Sequence, residues 1–374
     1  MQFKVSSTRL LVQLQTLSRV IASKNSLAIL SDFHFTIEGN NLTIKSSDSE
    51  TTMISHVEIE NLGSEGSFCV GARLLTDTLK EFSEQLIEFN INDANLGILI
   101  RSDYGEYKFV GENAEQYPEM TQLSEQNFRF SIPAATLLNG ISRTIFATAD
   151  DEIRPVMTGI DIDLNESNVT FVGTDAHKLV RIVNSNVHAD QPCSFILPKK
   201  PATLLRTVLP KEEDDVDVTF DEKNVIFRLP NLTIICRRVE GRYPDYNRVI
   251  PQNNTHHIIV DRLSLLNALR RVQVFSNPSN SMVKLALTEN QIVVSAQDVN
   301  YSTSAEERVP CQYESEPISI GFKSMFLIDI LANIDAQEVR LEIEDPSRAG
   351  LILPNENAEG EDLLMLLMPM LLNE

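Results

Sequence analysis

Leu10, Leu14, Leu17 and Ile21 fall at helical spacing between Ser7 and Ala22, so this stretch presents one buried stripe. The same stripe returns as Leu137, Leu138, Ile141 and Ile145 between Pro133 and Thr148, and as Leu265, Leu266, Leu269 and Val272 between Asp261 and Phe275. Between these helices the pattern changes to strict alternation, in Phe33 to Ile37, Ile160 to Leu164 and Val283 to Leu287, which predicts strands with one face in a core. Polar turns follow at Glu38 to Asn41, Asn165 to Asn168 and Thr288 to Asn290.

The order of elements repeats. Strand-to-helix starts at Ser7, Pro133 and Asp261 are 126 and 128 residues apart, and strands ending at Asp48, Asp175 and Asp298 are 127 and 123 apart. Second helices expected at Gly71 to Phe82, Pro198 to Pro210 and Gly321 to Ile334 repeat at 127 and 123. A period this long exceeds that of solenoids, so each repeat is expected to be a domain with its own core. The fold class is therefore α+β, three repeated domains of two helices on antiparallel sheet. Polar stretches at Glu119 to Gln126 and Pro251 to Thr255 place the domains at 1–123, 124–253 and 254–374.

A charged fraction of 23% beside 42% apolar residues argues against disorder. The formal charge of −21 at first argues against a nucleic-acid partner. Its distribution reverses that inference, because the six helical stretches sum to +8 and leave −29 on everything else. Four of those stretches hold one acid between them, Asp261, although glutamate is a good helix former. The start, Met1 to Val5, reads as a strand and lacks the form of a signal peptide, and no apolar run reaches membrane-spanning length; a cytoplasmic address is expected. Cys69, Cys193, Cys236 and Cys311 are far apart and are expected to be plain thiols.

Catalytic motifs are scarce. Gly-Lys does not occur, no glycine-rich phosphate cradle appears, and no helix carries paired histidines for zinc, so no cofactor or metal is expected. His256 and His257 read as a strand entry. Asp175 and His177 could form an acid–base pair. Asp48 and Asp298 occupy the equivalent positions without a nearby histidine, however, so capping of the turn after the strand explains all three copies. A hydrolase built on Asp175 and His177 is one reading of these residues, and a three-domain scaffold that never touches nucleic acid is another.

Arg154 to Met157, Gly173 to Leu179, Val239 to Tyr246 and Met368 to Met370 occur in an order that resembles the β sliding clamp family, the processivity subunits of bacterial replicative DNA polymerases. The resemblance runs the full length. It implies three similar domains per protomer and a head-to-tail homodimer closed into a ring. Twelve helices would line the hole, encircling double-stranded DNA without sequence specificity. Basic helices inside and acidic strands outside would match the charge distribution. Retention by topology needs only weak phosphate contacts. By family position Lys24, Arg73, Lys199 and Lys200 approach the DNA backbone, with Asp151 standing where some relatives have a polar glutamine.

The resemblance also implies a hydrophobic groove for short peptides of the replicative polymerase subunit, the ATP-dependent clamp loader, repair polymerases and other clamp-binding-motif proteins. Its matching positions are Met157, Thr174, Ala176, His177, Lys178 and Leu179, then Pro244, Arg248 and Val249, then Leu366, Met368, Pro369 and Met370. Methionine and leucine suit an adaptable apolar floor. Ala176 replaces a frequent glycine, Lys178 an arginine in some relatives, and Leu371 a basic residue; the chain continues through Leu372, Asn373 and Glu374. At the dimer contact, Tyr107 is expected to meet Val274 and Phe275 of the other copy. No catalytic residue is implied.

Overall fold

The computed structural model describes residues 1–119, 123–151 and 153–372. The linker expected at Glu119 to Gln126 thus lies partly outside the described residues, as do Asn373 and Glu374.

Six α-helices occur among the described residues: α1 (Ser7–Leu17), α2 (Ala72–Lys80), α3 (Ala134–Thr144), α4 (Lys199–Val208), α5 (Arg262–Val272) and α6 (Ser324–Ala332). All six are shorter than their apolar patterns suggest. Asp261 stands outside α5 as its N-cap, accepting from the Ser264 N–H at 2.7 Å, and Ser6 caps α1 in the same way through Arg9. Helices α3 and α5 tighten into 3-10 turns at Ile145–Ala147 and Gln273–Phe275. At α6 the expected first turn, Gly321 to Lys323, instead ends the strand Ile318–Lys323 and pairs with Met282 to Lys284.

Two compact units are built from these elements. In the first, Met1–Ala135 with Thr203–Arg238, all strands belong to one thirteen-stranded antiparallel sheet. The strand Leu232–Arg237 pairs with Thr51–Glu58 from Leu232 opposite Ser55 to Cys236 opposite Thr51, so strands of the second repeat extend the sheet of the first. Buried Ser55 fixes the seam, its hydroxyl lying 3.0 Å from the Asn231 carbonyl and 2.7 Å from the Gln13 side chain. Leu10, Leu14 and Leu17 of α1 are fully buried, each contributing about 2 kcal/mol of apolar burial.

The second unit, Thr136–Ala202 with Val239–Glu374, holds a twelve-stranded sheet. Here Lys178–Asn184 pairs along its whole length with Glu361–Leu367, joining strands of the second and third repeats. Neither sheet stops at a repeat boundary, so neither leaves an open edge there.

The repeat also has a common detail. Each strand-end aspartate closes its turn by accepting backbone N–H groups: Asp48 from Glu50 and Thr51, Asp175 from His177 and Lys178, and Asp298 from Asn300. Two residues earlier, the strand passes the end of the first helix. Ser46 donates its hydroxyl to the Leu17 carbonyl at 2.8 Å, whereas at Gly173 a Cβ would lie 2.4 Å from the Thr144 carbonyl oxygen. Only a small side chain, or none, fits.

Candidate peptide groove and charged surfaces

The turn between Val169–Thr174 and Lys178–Asn184 is held by its own polar groups. Asp175 Oδ1 accepts from the backbone N–H groups of His177 and Lys178, both at 2.8 Å, and Oδ2 pairs with Lys178 Nζ at 2.5 Å. Thr174 donates its hydroxyl to the Lys178 carbonyl at 2.8 Å and accepts from the Ala176 N–H at 3.1 Å. Ala176 adopts φ +72°, the left-handed region that favours glycine. Asp175 therefore closes its turn through the His177 and Lys178 backbone, the structural role shared with its two counterparts, and binds the Lys178 ammonium as well.

Val172, Leu179, Ile250, Leu351, Leu364 and Leu366 belong to one buried apolar cluster, with Tyr243 and Tyr246 packed against it. Strand register brings Lys178 opposite Leu367 and Leu179 opposite Leu366. After the strand the chain turns outward: Met368 donates its N–H to the His177 carbonyl at 2.9 Å, and Met370 to the Gly321 carbonyl at 2.8 Å. Met368 is 42% exposed, and Pro369 and Met370 are half-buried, so this segment offers apolar surface to solvent. Thr174, Ala176, His177, Lys178, Leu179, Leu366 and Met368 are thus brought together by direct bonds or strand pairing. Pro244, Arg248 and Val249 sit on the segment that carries Tyr243 and Tyr246; Val249 is exposed, and Arg248 pairs with Asp245 at 2.7 Å. Met157 is half-buried, and its carbonyl accepts from the Ala149 N–H. No direct contact joins Met157 or Arg248 to the turn among the described interactions.

Sequence reasoning missed Phe326. Its ring on α6 has Lys178 Nζ 4.2 Å and Lys323 Nζ 4.7 Å from the centroid, and the His177 ring stacks at 6.1 Å and 26°. The signal was present in α6, Ser-Met-Phe-Leu-Ile-Asp-Ile-Leu-Ala, which is apolar on more than one face. Leu351, outside any recognised motif, was also missed.

Buried acid lies behind the tyrosines. Burial, and then the neighbouring Asp163, push the Asp161 carboxyl up to about 7. Burial first, and then the Asp161 charge, push the Tyr246 phenol up to about 12 and raise Tyr243 as well. The Tyr243 hydroxyl donates to the Val172 carbonyl at 3.4 Å.

The basic candidates divide by partner. Lys24 is exposed after α1, and Arg73 near the start of α2 is almost fully exposed, 3.8 Å from Asp77. Lys199 opens α4 and is ion-paired with Asp150; Lys200 beside it is exposed. Asp151 pairs with Arg154 at 3.3 Å. Some helix charge is structural: Arg262 donates to the Leu331 and Ala336 carbonyls at 3.1 and 2.8 Å, while Arg143 donates to the Asn333 carbonyl and pairs with Asp335. Both arginines meet the C-terminal end of α6, where carbonyl oxygens and the helix dipole favour cations.

Tyr107 lies on Glu106–Glu112, 37% exposed, with the Phe82 ring 5.0 Å away. That strand pairs with Gly97–Arg101 on one side and only at Gly111 and Glu112 on the other. Val274 and Phe275 are 77% and 41% exposed. In the same unit, Thr303–Gln312 pairs with Gln291–Asp298 and meets its other neighbour only at Cys311 and Gln312. Glu106–Glu112 and Thr303–Gln312 thus each leave most of one edge unpaired inside their sheets, in addition to the terminal strands, such as Phe128–Pro133 and Cys193–Pro198, that end each sheet. No group of three or more potential metal ligands occurs among those residues.

Family models of the DNA polymerase III beta subunit match the chain three times: the N-terminal domain over residues 1–121, the central domain over 131–245 and the C-terminal domain over 247–370. A beta sliding clamp of Bacillus subtilis is 27% identical and one of Haemophilus influenzae 28% identical, with at least 99% of each chain covered. Among solved structures, the DNA polymerase III subunit beta of Pseudomonas aeruginosa superimposes with a TM-score of 0.94 at 25% identity, and the sliding clamp of Bacillus subtilis with 0.93 at 25%; both comparisons cover the whole of each chain.

Proposed function

The chain belongs to the DNA polymerase III beta subunit family and acts as a DNA sliding clamp in replication; on that premise we propose that two copies close head to tail into a ring. The observation that carries the ring is the pair of open strand edges. Glu106–Glu112 bears exposed Tyr107 and Val110, and Thr303–Gln312 lies in the unit that bears exposed Val274 and Phe275. Pairing one edge with the other across two copies satisfies both sets of backbone groups, and two such heterologous contacts close a dimer. Enclosure then retains the duplex, with Lys24, Arg73, Lys199 and Lys200 making weak phosphate contacts.

In this reading the floor around Leu179 and Leu366, edged by His177, Arg248 and Met368 to Met370, takes apolar side chains of linear peptides from the polymerase, the loader and repair polymerases. Domains at 1–123, 124–253 and 254–374, a cytoplasmic setting and the absence of any catalytic role complete the proposal. Loading the protein on a nicked circle and then linearising the DNA tests it. Release on cutting is expected, and retention overturns enclosure. Light scattering should give twice the chain mass, and a monomer at micromolar concentration overturns the ring.

A further inference from the structure

We propose that Asp150 is a built-in competitor of phosphate for Lys199, so that Lys199 meets DNA only by exchanging one anion for another. This rests on the reading that Lys199 contacts the duplex backbone. The Lys199 ammonium is already ion-paired with the Asp150 carboxylate, and both side chains reach water, at 40% and 86% exposure. Lys199, and then the more distant Lys178, hold the Asp150 carboxyl below the usual carboxylate range. Because the pair is solvated, it opens without stranding a buried charge.

A second acid repeats the arrangement on α2. Asp77 lies between Lys80 at 2.9 Å and Arg73 at 3.8 Å, and these bases, Lys80 foremost, hold its carboxyl low. A cation neutralised by its own protein releases few DNA counterions when a phosphate replaces the carboxylate, which flattens the salt dependence of binding. It also makes one phosphate contact nearly equivalent to the next, a shallow surface for sliding. Both acids stand beside bases already assigned to the backbone, where a protein selected only for grip would have none.

The test uses the full-length protein and a short linear duplex, from which a ring can slide off, with binding measured across a salt series. Asp150→Asn is expected to tighten binding roughly two- to five-fold near physiological salt, the worth of one exposed ion pair. It should also steepen the slope of log K against log salt by about 0.9. In a Lys199→Ala background the same substitution should give no gain. A gain that persists without Lys199 overturns the proposal, since Asp150 would then act only through the general field. No gain in Asp150→Asn, while Lys199→Ala alone weakens binding, also overturns it and leaves the Lys199 contact intact. If Lys199→Ala changes neither affinity nor slope, the contact itself is wrong and the competitor falls with it.

Discussion

The Met368 N–H donates to the His177 carbonyl at 2.9 Å, tying the C-terminal segment to the turn after the Val169–Thr174 strand. One backbone bond thus joins the two most recognisable motifs of the chain at one site. Met370 makes the next bond, to Gly321, and between them the segment is held open to solvent.

Deleting Met368 to Glu374 removes both bonds together with exposed Met368 and half-buried Met370. Affinity for a polymerase-derived clamp peptide, measured by fluorescence anisotropy, should fall by more than about tenfold, as expected for loss of a hot-spot cluster. The mass of the assembly should not change. Unchanged peptide affinity would refute the groove assignment.

Phe326 orders the basic edge of this site through Lys178, Lys323 and His177. Phe326→Leu keeps apolar volume and removes the ring face. A stability loss of about 1 kcal/mol in urea unfolding is expected from the two cation–ring contacts, together with weaker peptide binding. A variant as stable as the parent would show that these contacts contribute nothing.

Ala176 occupies a left-handed conformation that glycine adopts without a steric penalty. Ala176→Gly should therefore stabilise the protein by about 0.5–1 kcal/mol, the strain relieved less the extra entropy of an unfolded glycine. Gly173→Ala is expected to act in the opposite direction, because its Cβ would meet the backbone oxygen of Thr144; a loss of about 2 kcal/mol or more should appear in the same unfolding assay.

Asp161 makes stability depend on pH. Its folded pKa, about 7, is above the ordinary aspartate value of 3.8, so between these values the folded state holds a proton that the unfolded state has lost. The neutral carboxyl's contribution is complete below about 4 and declines as pH rises to about 7, by a few kcal/mol at most. Asp161→Asn should flatten this part of the stability profile and raise stability at pH 8. An unchanged profile would show that the carboxylate is solvated in the folded protein.

Helix stripes, alternating strands and the period near 125 residues were legible in the sequence because burial imposes local periodicities of 3.6 and 2, and duplication copies them. The capping role of Asp48, Asp175 and Asp298 was equally legible, since an aspartate bonds the backbone two residues on wherever it ends such a strand. Tertiary structure alone decided where the sheets continue. Leu232 opposite Ser55 and Lys178 opposite Leu367 are pairings between distant segments, and alternation within either strand does not name its partner. It also decided which cations are used structurally: nothing in the sequence sets Arg143 and Arg262 apart from the other helix bases, yet folding places them on the carbonyl end of α6. Phe326 joined the site for the same reason, because a helix pattern reports which side chains are apolar and not which charged groups the fold sets over them.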